Sequence, residues 1–403
     1  MWSDTPRPTA ASTSPWCALR WRRSNRRNDG HLPASGYENN YVASTPGSGR
    51  FNCPVTGRYL YVGGDLSRAM LNRTGNPVPR SEFRNYLSSG YRDDLARDIL
   101  AGMTAEQKCI PSRYFYDARG SQLFEEICRL PEYYQTRLEL SILHGACGAI
   151  MESFGKGDLV ELGPGTDLKA SKLIDAAPEP EGEGICYIPV DVSESALAAA
   201  TEGLLRRYPR LRVLGIVGDF TRDLGYIPAR GKKLVTFFGG TIGNFTDPAA
   251  QRMLRSVAGV MGEDDRFVVG LDMVKPVPVL EAAYNDAAGV TAAFNKNILA
   301  VVNRELGADF DPGRFEHRAG FNRDEERIEM HLVASAAMAV GIPALDLHVA
   351  FERGETILTE ISRKFTRESA GRLFSAAGLT VERWFSDPKE WFALAEVSRA
   401  GLG

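Results

Sequence analysis

The 403-residue sequence predicts an α/β protein with a parallel, doubly wound sheet, and three observations carry that reading. Five short apolar runs and four helical patterns follow one another between residues 158 and 304. The first run enters a glycine-rich turn, and the second and third end on Asp191 and Asp219. Two more runs close the chain. Strands that alternate with helices at this spacing pair in parallel, and their C-terminal ends gather the ligand site.

Taken in order, residues 1–80 are rich in Ser, Pro, Gly, Asn and Arg and show no sustained period, so no helix or strand is expected there. Residues 1–34 hold six Arg against two Asp. A signal peptide would need an apolar core after those charges, and none follows. A disordered basic tail, or a start placed too early, is the expectation. From residue 81 the pattern becomes globular. Phe83, Tyr86, Leu87, Leu95, Ile99 and Leu100 sit at helical spacing. Phe124, Ile127, Cys128 and Leu130 give a helix face ended by Pro131, and residues 138–154 form another helix.

Strands follow at 158–163, 185–193, 211–220, 233–245 and 266–274. Helices fall at 168–176, from 193 to about 208, and at 248–262. Residues 275–304 read as one helix and 326–362 as two or three long strands. The α/β rhythm returns with a helix at 366–377 and two strands, LTVERWFSD and EWFALAEVSRA, joined through Pro388. Residues 275–363 therefore read as an insertion. It should pack with the helices of 84–137 as a second domain roofing the site, while 138–274 and 364–400 form the sheet domain.

Composition narrows the function. Lys and Arg number 48 against 51 Asp and Glu, a net charge of -3, which disfavours a nucleic-acid partner. No uncharged apolar run is long enough for a membrane helix. Six scattered cysteines without a CxxC pair imply a reducing, cytoplasmic compartment. Five histidines without an HExxH pattern leave no metal site to expect.

The turn ELGPGT (161–166) has the strand-to-helix context of a cofactor loop. Gly163 and Gly165 let the backbone approach a ligand, and the following helix start offers free N–H groups. The third glycine of a dinucleotide fingerprint is missing; Leu168 stands there. That weakens a nicotinamide cofactor and leaves S-adenosylmethionine, whose carboxylate Lys169 could reach. Asp191 would accept from two ribose hydroxyls, and Asp219 from the adenine amine beside the wall of Phe220. The bland reading of both aspartates is ordinary strand-to-helix capping.

GGTIGNF (239–245) ends the fourth strand, where Asn244 offers an amide that both donates and accepts, or merely closes a turn. Methyl transfer to nitrogen is an in-line displacement needing an aimed, neutral amine and little acid–base chemistry. The lack of a Cys or Ser–His nucleophile constellation agrees with that.

Six strings, YFYDARGSQLFEEI, LPEYYQTR, VELGPGT, GGTIGNF, AAYNDAAGVTAAFNKN and LTEISRKF, make residues 84–400 resemble the histidine-specific methyltransferases of ergothioneine biosynthesis. The resemblance implies a seven-strand Rossmann-like methyltransferase sheet with an inserted α+β substrate-binding domain. It also implies trimethylation of the α-amino group of L-histidine to hercynine, by a monomer. Carried over by position, Gly163, Gly165, Lys169, Asp191, Asp219 and Phe220 would hold S-adenosylmethionine. Tyr133, Asn244, Tyr284, Glu360 and Ser362 would hold histidine, with Tyr133 rather than Tyr134 facing it. Asn244 and Tyr116 would serve catalysis, Tyr116 through a water on the amine. Pro164 replaces the usual Ser of the loop, removing a side-chain contact but no backbone one. Independently, Glu360 and Ser362 are two apart on a strand and share a face. That pair can accept from and donate to the two imidazole nitrogens; alternatively Glu360 only pairs with Arg363 or Lys364. Competing functions are methylation of another amino acid or small amine, and a silent binding protein with the same fold.

Overall fold

A computed structural model describes residues 49–53, 58–62, 80–87 and 90–401. The basic stretch of the tail lies outside the described residues. The elements begin with strands β1 (Gly49–Cys53), β2 (Arg58–Val62) and β3 (Ser81–Asn85). Helices α1 (Tyr91–Met103), α2 (Ala118–Cys128) and α3 (Tyr134–Phe154) follow. The alternating part comprises β4 (Gly157–Leu162), α4 (Leu168–Asp175), β5 (Ile185–Asp191), α5 (Glu194–Arg207) and β6 (Arg212–Val217). It continues with β7 (Lys233–Phe237), α6 (Asp247–Val260) and β8 (Arg266–Asp272). Next come α7 (Val277–Tyr284), α8 (Val290–Leu306), β9 (Phe315–Asn322) and β10 (Arg327–Ala334). A hairpin, β11 (Met338–Ile342) and β12 (Leu347–Phe351), precedes β13 (Thr356–Arg363). Helix α9 (Arg367–Ser375) and strands β14 (Leu379–Ser386) and β15 (Phe392–Arg399) end the fold.

Alternate residues of the central strands bury opposite ways. Val160, Ile188, Ile216 and Phe237 pack under α6 and α9, while Leu159, Tyr187, Val213 and Leu234 pack under α3 and α4. Apolar residues on both faces are what a parallel sheet between helix layers requires. The strand order is β1-β2-β3-β6-β5-β4-β7-β8-β15-β14. Strands β3 to β8 are parallel, and β15 and β14 add antiparallel at one edge.

The sheet is larger than the seven strands expected. Residues 81–85, read as helical, form a parallel strand beside β6. The reason is local: a Cβ on Gly215 would lie 2.3 Å from Phe83 Cδ1, so this glycine makes the room that the ring fills. Strands β1 and β2 extend the same edge antiparallel, inside the stretch expected to hold no strand. Arg80 also belongs to the fold. Its guanidinium donates to the carbonyls of Leu205, Tyr208 and Pro209 at 2.9–3.0 Å, satisfying the C-terminal end of α5.

A separate apolar core joins α1, α2, α7 and α8 to the three-stranded sheet β13-β10-β9. The helix expected at 275–304 is two helices. Gly289 takes a φ of +73°, and the Asp286 carboxylate accepts from the N–H groups of Val290 and Thr291, starting a new helix. The fourth central strand likewise stops at Phe237, because Gly239 and Gly240 at φ +81° and +66° turn it into a 3-10 helix, Thr241–Asn244. Strand β9 was hidden in the sequence by its weak alternation. Opposite Met330 and His331 the ladder shifts register and Thr359 is unpaired, a β-bulge just before Glu360. No helix among the described residues is long and apolar enough to cross a membrane.

Candidate active site

The C-terminal ends of β4, β5, β6 and β7 form one rim. After β4, Gly163 and Gly165 take φ of +65° and +61°, a region that favours glycine. A Cβ on Gly165 would meet nothing within 4 Å, and one on Gly163 would lie 3.8 Å from Phe220 Cε1. The turn is therefore open, with the Phe220 ring leaning over it. At the end of β5, Asp191 Oδ1 accepts from Ser193 N at 2.9 Å. Burial pushes its pKa up to about 6, against the pull of the Ser193 and Val192 N–H groups.

Two residues of this rim are more engaged than the sequence suggested. Lys169 Nζ is 2.6 Å from Glu139 Oε2, and Glu139 Oε1 accepts from Gly239 N at 2.7 Å. The lysine is thus anchored by a buried glutamate of α3 at the end of β7, rather than being a free cation. Asp219 Oδ1 accepts from Thr221 N and Oγ1, and Oδ2 faces Arg113 at 3.2 Å and Arg222 at 3.4 Å. Arg113 comes from the 3-10 helix Ser112–Phe115, whose Tyr114 and Phe115 belong to the second core.

That second core supplies an aromatic cluster. Tyr116 is 44% exposed, yet burial and the negative charge of Glu360 raise the pKa of its hydroxyl, which also senses Tyr284 and Asp191. It stands between the strand rim and β13. Its ring meets Phe124 and Phe294 edge-on at 5.5 and 5.8 Å. Tyr133 and Tyr134 start α3 but part company: Tyr133 packs on Phe124 and Tyr284, whereas Tyr134 Oη binds Asp272. Glu360 has no hydrogen-bond partner among the described residues, and burial lifts its pKa to about 7 despite the nearby Lys364. The 3-10 helix carrying Asn244 lies tight on the end of β13; a Cβ on Gly243 would be 2.7 Å from Arg363 O. The Asn244 amide itself has no protein partner among the described residues.

Comparison with known proteins gives the family. Residues 95–399 match the profile of the SAM-dependent histidine-specific methyltransferases. The chain belongs to that family. It is similar to the histidine N-alpha-methyltransferase of Mycolicibacterium smegmatis, 46% identical over 78% of this chain and 98% of that one. The enzyme of the same name from Mycobacterium tuberculosis is 43% identical over 76% of this chain and 95% of its own length. Ergothioneine biosynthesis protein 1 of Schizosaccharomyces pombe is 31% identical over 53% of this chain and 29% of its own. The rim offers what a nucleoside cofactor needs: an open glycine turn, a desolvated carboxylate at the end of β5, and an aromatic wall.

Sequence reading of this methyltransferase missed the buried groups beneath the aromatic cluster. Asp272, at the end of β8, is 1% exposed and binds Tyr134, Gln135, Lys275 and Lys364. Burial alone would raise its pKa, but the two lysines hold it low. Lys275 is driven down to about 8, by burial first. His317 fixes the backbone of Tyr284 at 2.9 Å through Nε2; its Nδ1 faces Asn295 Nδ2, so Nε2 is the donor. The available signals were Asp272 and Lys275 three apart at an apolar strand end, and Lys364 continuing the alternation of Glu360 and Ser362.

Proposed function

We propose that this chain transfers methyl groups from S-adenosylmethionine to the α-amino group of L-histidine, three in succession, giving hercynine for ergothioneine biosynthesis. One observation carries the substrate choice. Glu360, an unpartnered carboxylate, and Ser362 share a face of β13 beside the tyrosine cluster next to the strand rim. That pair suits a ring with one N–H and one bare nitrogen. The names of the similar proteins support the reading.

S-adenosylmethionine, when bound, supplies an electrophilic methyl group on a positively charged sulfur. The chain's own work is to aim and enclose. Gly163 and Gly165 bring the backbone close, Asp191 accepts from the ribose, and Lys169 keeps N–H groups to offer a carboxylate. Asn244, Tyr133 and Tyr284 hold the amino-acid end so that the amine lone pair lies in line with the methyl. Its raised pKa keeps Tyr116 a hydroxyl at neutral pH. It therefore orders the amine and its departing proton through water rather than acting as a phenolate base. Tyrosine faces also favour the quaternary ammonium that accumulates, by about 1–2 kcal/mol where water is excluded.

A monomer in the cytoplasm, acting on a small molecule rather than a nucleic acid, completes the reading. Mass spectrometry of L-histidine incubated with the full chain and methyl donor tests it; one, two and three added methyl groups are expected in turn. Methylation of another amine with none on histidine would sink it.

A further inference from the structure

Lys364 lies wholly inside the protein. Its ammonium has three N–H groups and three acceptors: Asp272 Oδ2 at 2.8 Å, Ser362 Oγ at 2.8 Å and Tyr284 Oη at 3.0 Å. The remaining protons of this cluster can be placed by elimination. Gln135 Nε2 faces Asp272 Oδ2 at 2.7 Å, and an ionised carboxylate only accepts, so the amide must point its NH2 there. The same NH2 donates to Tyr284 Oη at 2.8 Å. Tyr284 Oη thus accepts from Gln135 and Lys364, and its own proton goes to Ser362 Oγ at 2.7 Å. Ser362 Oγ now accepts twice, from Tyr284 and Lys364. Only its proton is unspent, and no acceptor for it exists among the described residues.

We propose that Lys364 is a positioning residue that locks Ser362 as a hydrogen-bond donor, so that the pocket takes only a ring presenting a bare nitrogen, the neutral imidazole. This rests on the histidine reading. Glu360 accepts the N–H of one ring nitrogen, and Ser362 donates to the other. An imidazolium would set a second N–H against the Ser362 proton, with no lone pair to receive it. The other titratable groups facing this site are Asp272, Lys275 and Tyr134 beneath it, and Tyr116, Tyr133 and Tyr284 from the aromatic cluster. Lys275 stays with Asp272 when Lys364 is removed, so the buried carboxylate keeps a counter-ion and Lys364→Met should fold.

The experiment is equilibrium binding to the full chain saturated with S-adenosylhomocysteine, for wild type, Lys364→Met, Ser362→Ala and the double variant. The ligands are L-histidine, thiazol-4-ylalanine and thiazol-5-ylalanine (one bare ring nitrogen each, no ring N–H) and thienylalanine, which has no ring nitrogen. L-Histidine should lose roughly 10- to 100-fold in each single variant. The double variant should lose no more than Ser362→Ala alone, since both act through one hydrogen bond. Thienylalanine should change little. In wild type, one thiazolylalanine isomer should bind more tightly than thienylalanine, and that gain should vanish in Ser362→Ala. This last comparison needs no Lys364 variant, so an absent thiazole preference overturns the proposal even if that protein misfolds, while the role of Lys364 itself is read from the single and double variants. Additive losses, equal loss for thienylalanine, or no thiazole preference would overturn the proposal while leaving histidine as substrate. A wild-type chain that does not bind L-histidine at all would remove the reading beneath it.

Discussion

Glu360 carries an uncompensated cost that pH should reveal. Its pKa is about 7 in the fold, against the usual carboxylate value near 4.5 in the unfolded chain. The folded form therefore binds the proton more tightly, and stability falls as pH rises from about 4.5 through 7. Glu360→Gln should be more stable than wild type at pH 8, by about 1–3 kcal/mol, with the difference fading only below about pH 4; calorimetry at pH 8 and pH 4 checks this. Ligand binding runs the opposite way, because the ionised group accepts an imidazole N–H more strongly than the protonated one does. Wild-type affinity for L-histidine should drop as pH falls through about 7, whereas the Gln variant should keep only the lower limb on which the ligand's own imidazole takes up a proton. On the rim, Asp191→Ala should weaken the methyl donor roughly 10- to 100-fold and the acceptor far less, read by separate titrations. Equal damage to both would mean that Asp191 supports the fold instead.

At the level of elements, β4 to β8 were legible because both their faces are apolar and each ends in a marked turn. The motifs of the site were legible for the same reason: they sit where strands stop. What escaped was non-local. Strand β3 is five residues long, and its place beside β6 depends on Phe83 filling the gap over Gly215, 132 positions away. Phe83→Ala should cost about 3–5 kcal/mol in a denaturant melt; a near-neutral result would mean this edge is loosely packed. The earlier expectation that residues 1–80 are free of structure fails at the same edge, through β1, β2 and Arg80. The bulge at Thr359 was equally invisible, since it arises from pairing with β10. Its one hydroxyl proton goes to Asn295 Oδ1 at 2.6 Å, with Met330 O also in reach at 3.0 Å. The extra residue resets the alternation, so that Ser362 and Lys364 are buried after Ile357 and Thr359. Thr359→Val should therefore raise KM for the amino acid several-fold and lower Tm modestly, because it strands the buried Asn295 carbonyl. An unchanged KM would show that the bulge needs no such tether.

In the whole molecule, the donor groups stand on strand ends of one core and the ring-binding groups on β13 of another. Asp272 connects the two, a sheet residue whose partners include Lys364 just beyond β13. The Arg113–Asp219 pair is a second tie, placed where the adenine amine would bind and with the Arg113 side chain 38% exposed. Three methyl transfers, as proposed, would demand that spent cofactor leave and fresh cofactor enter each time. An ion pair with a partly exposed arginine on a buried carboxylate, at the position proposed for the adenine, makes ionic strength a lever on that step. Mobile ions screen it, so release of S-adenosylhomocysteine in stopped flow should quicken several-fold from low to high salt. With Arg113→Gln the departure should be fast at any salt, and the turnover clock of the enzyme would no longer feel its medium.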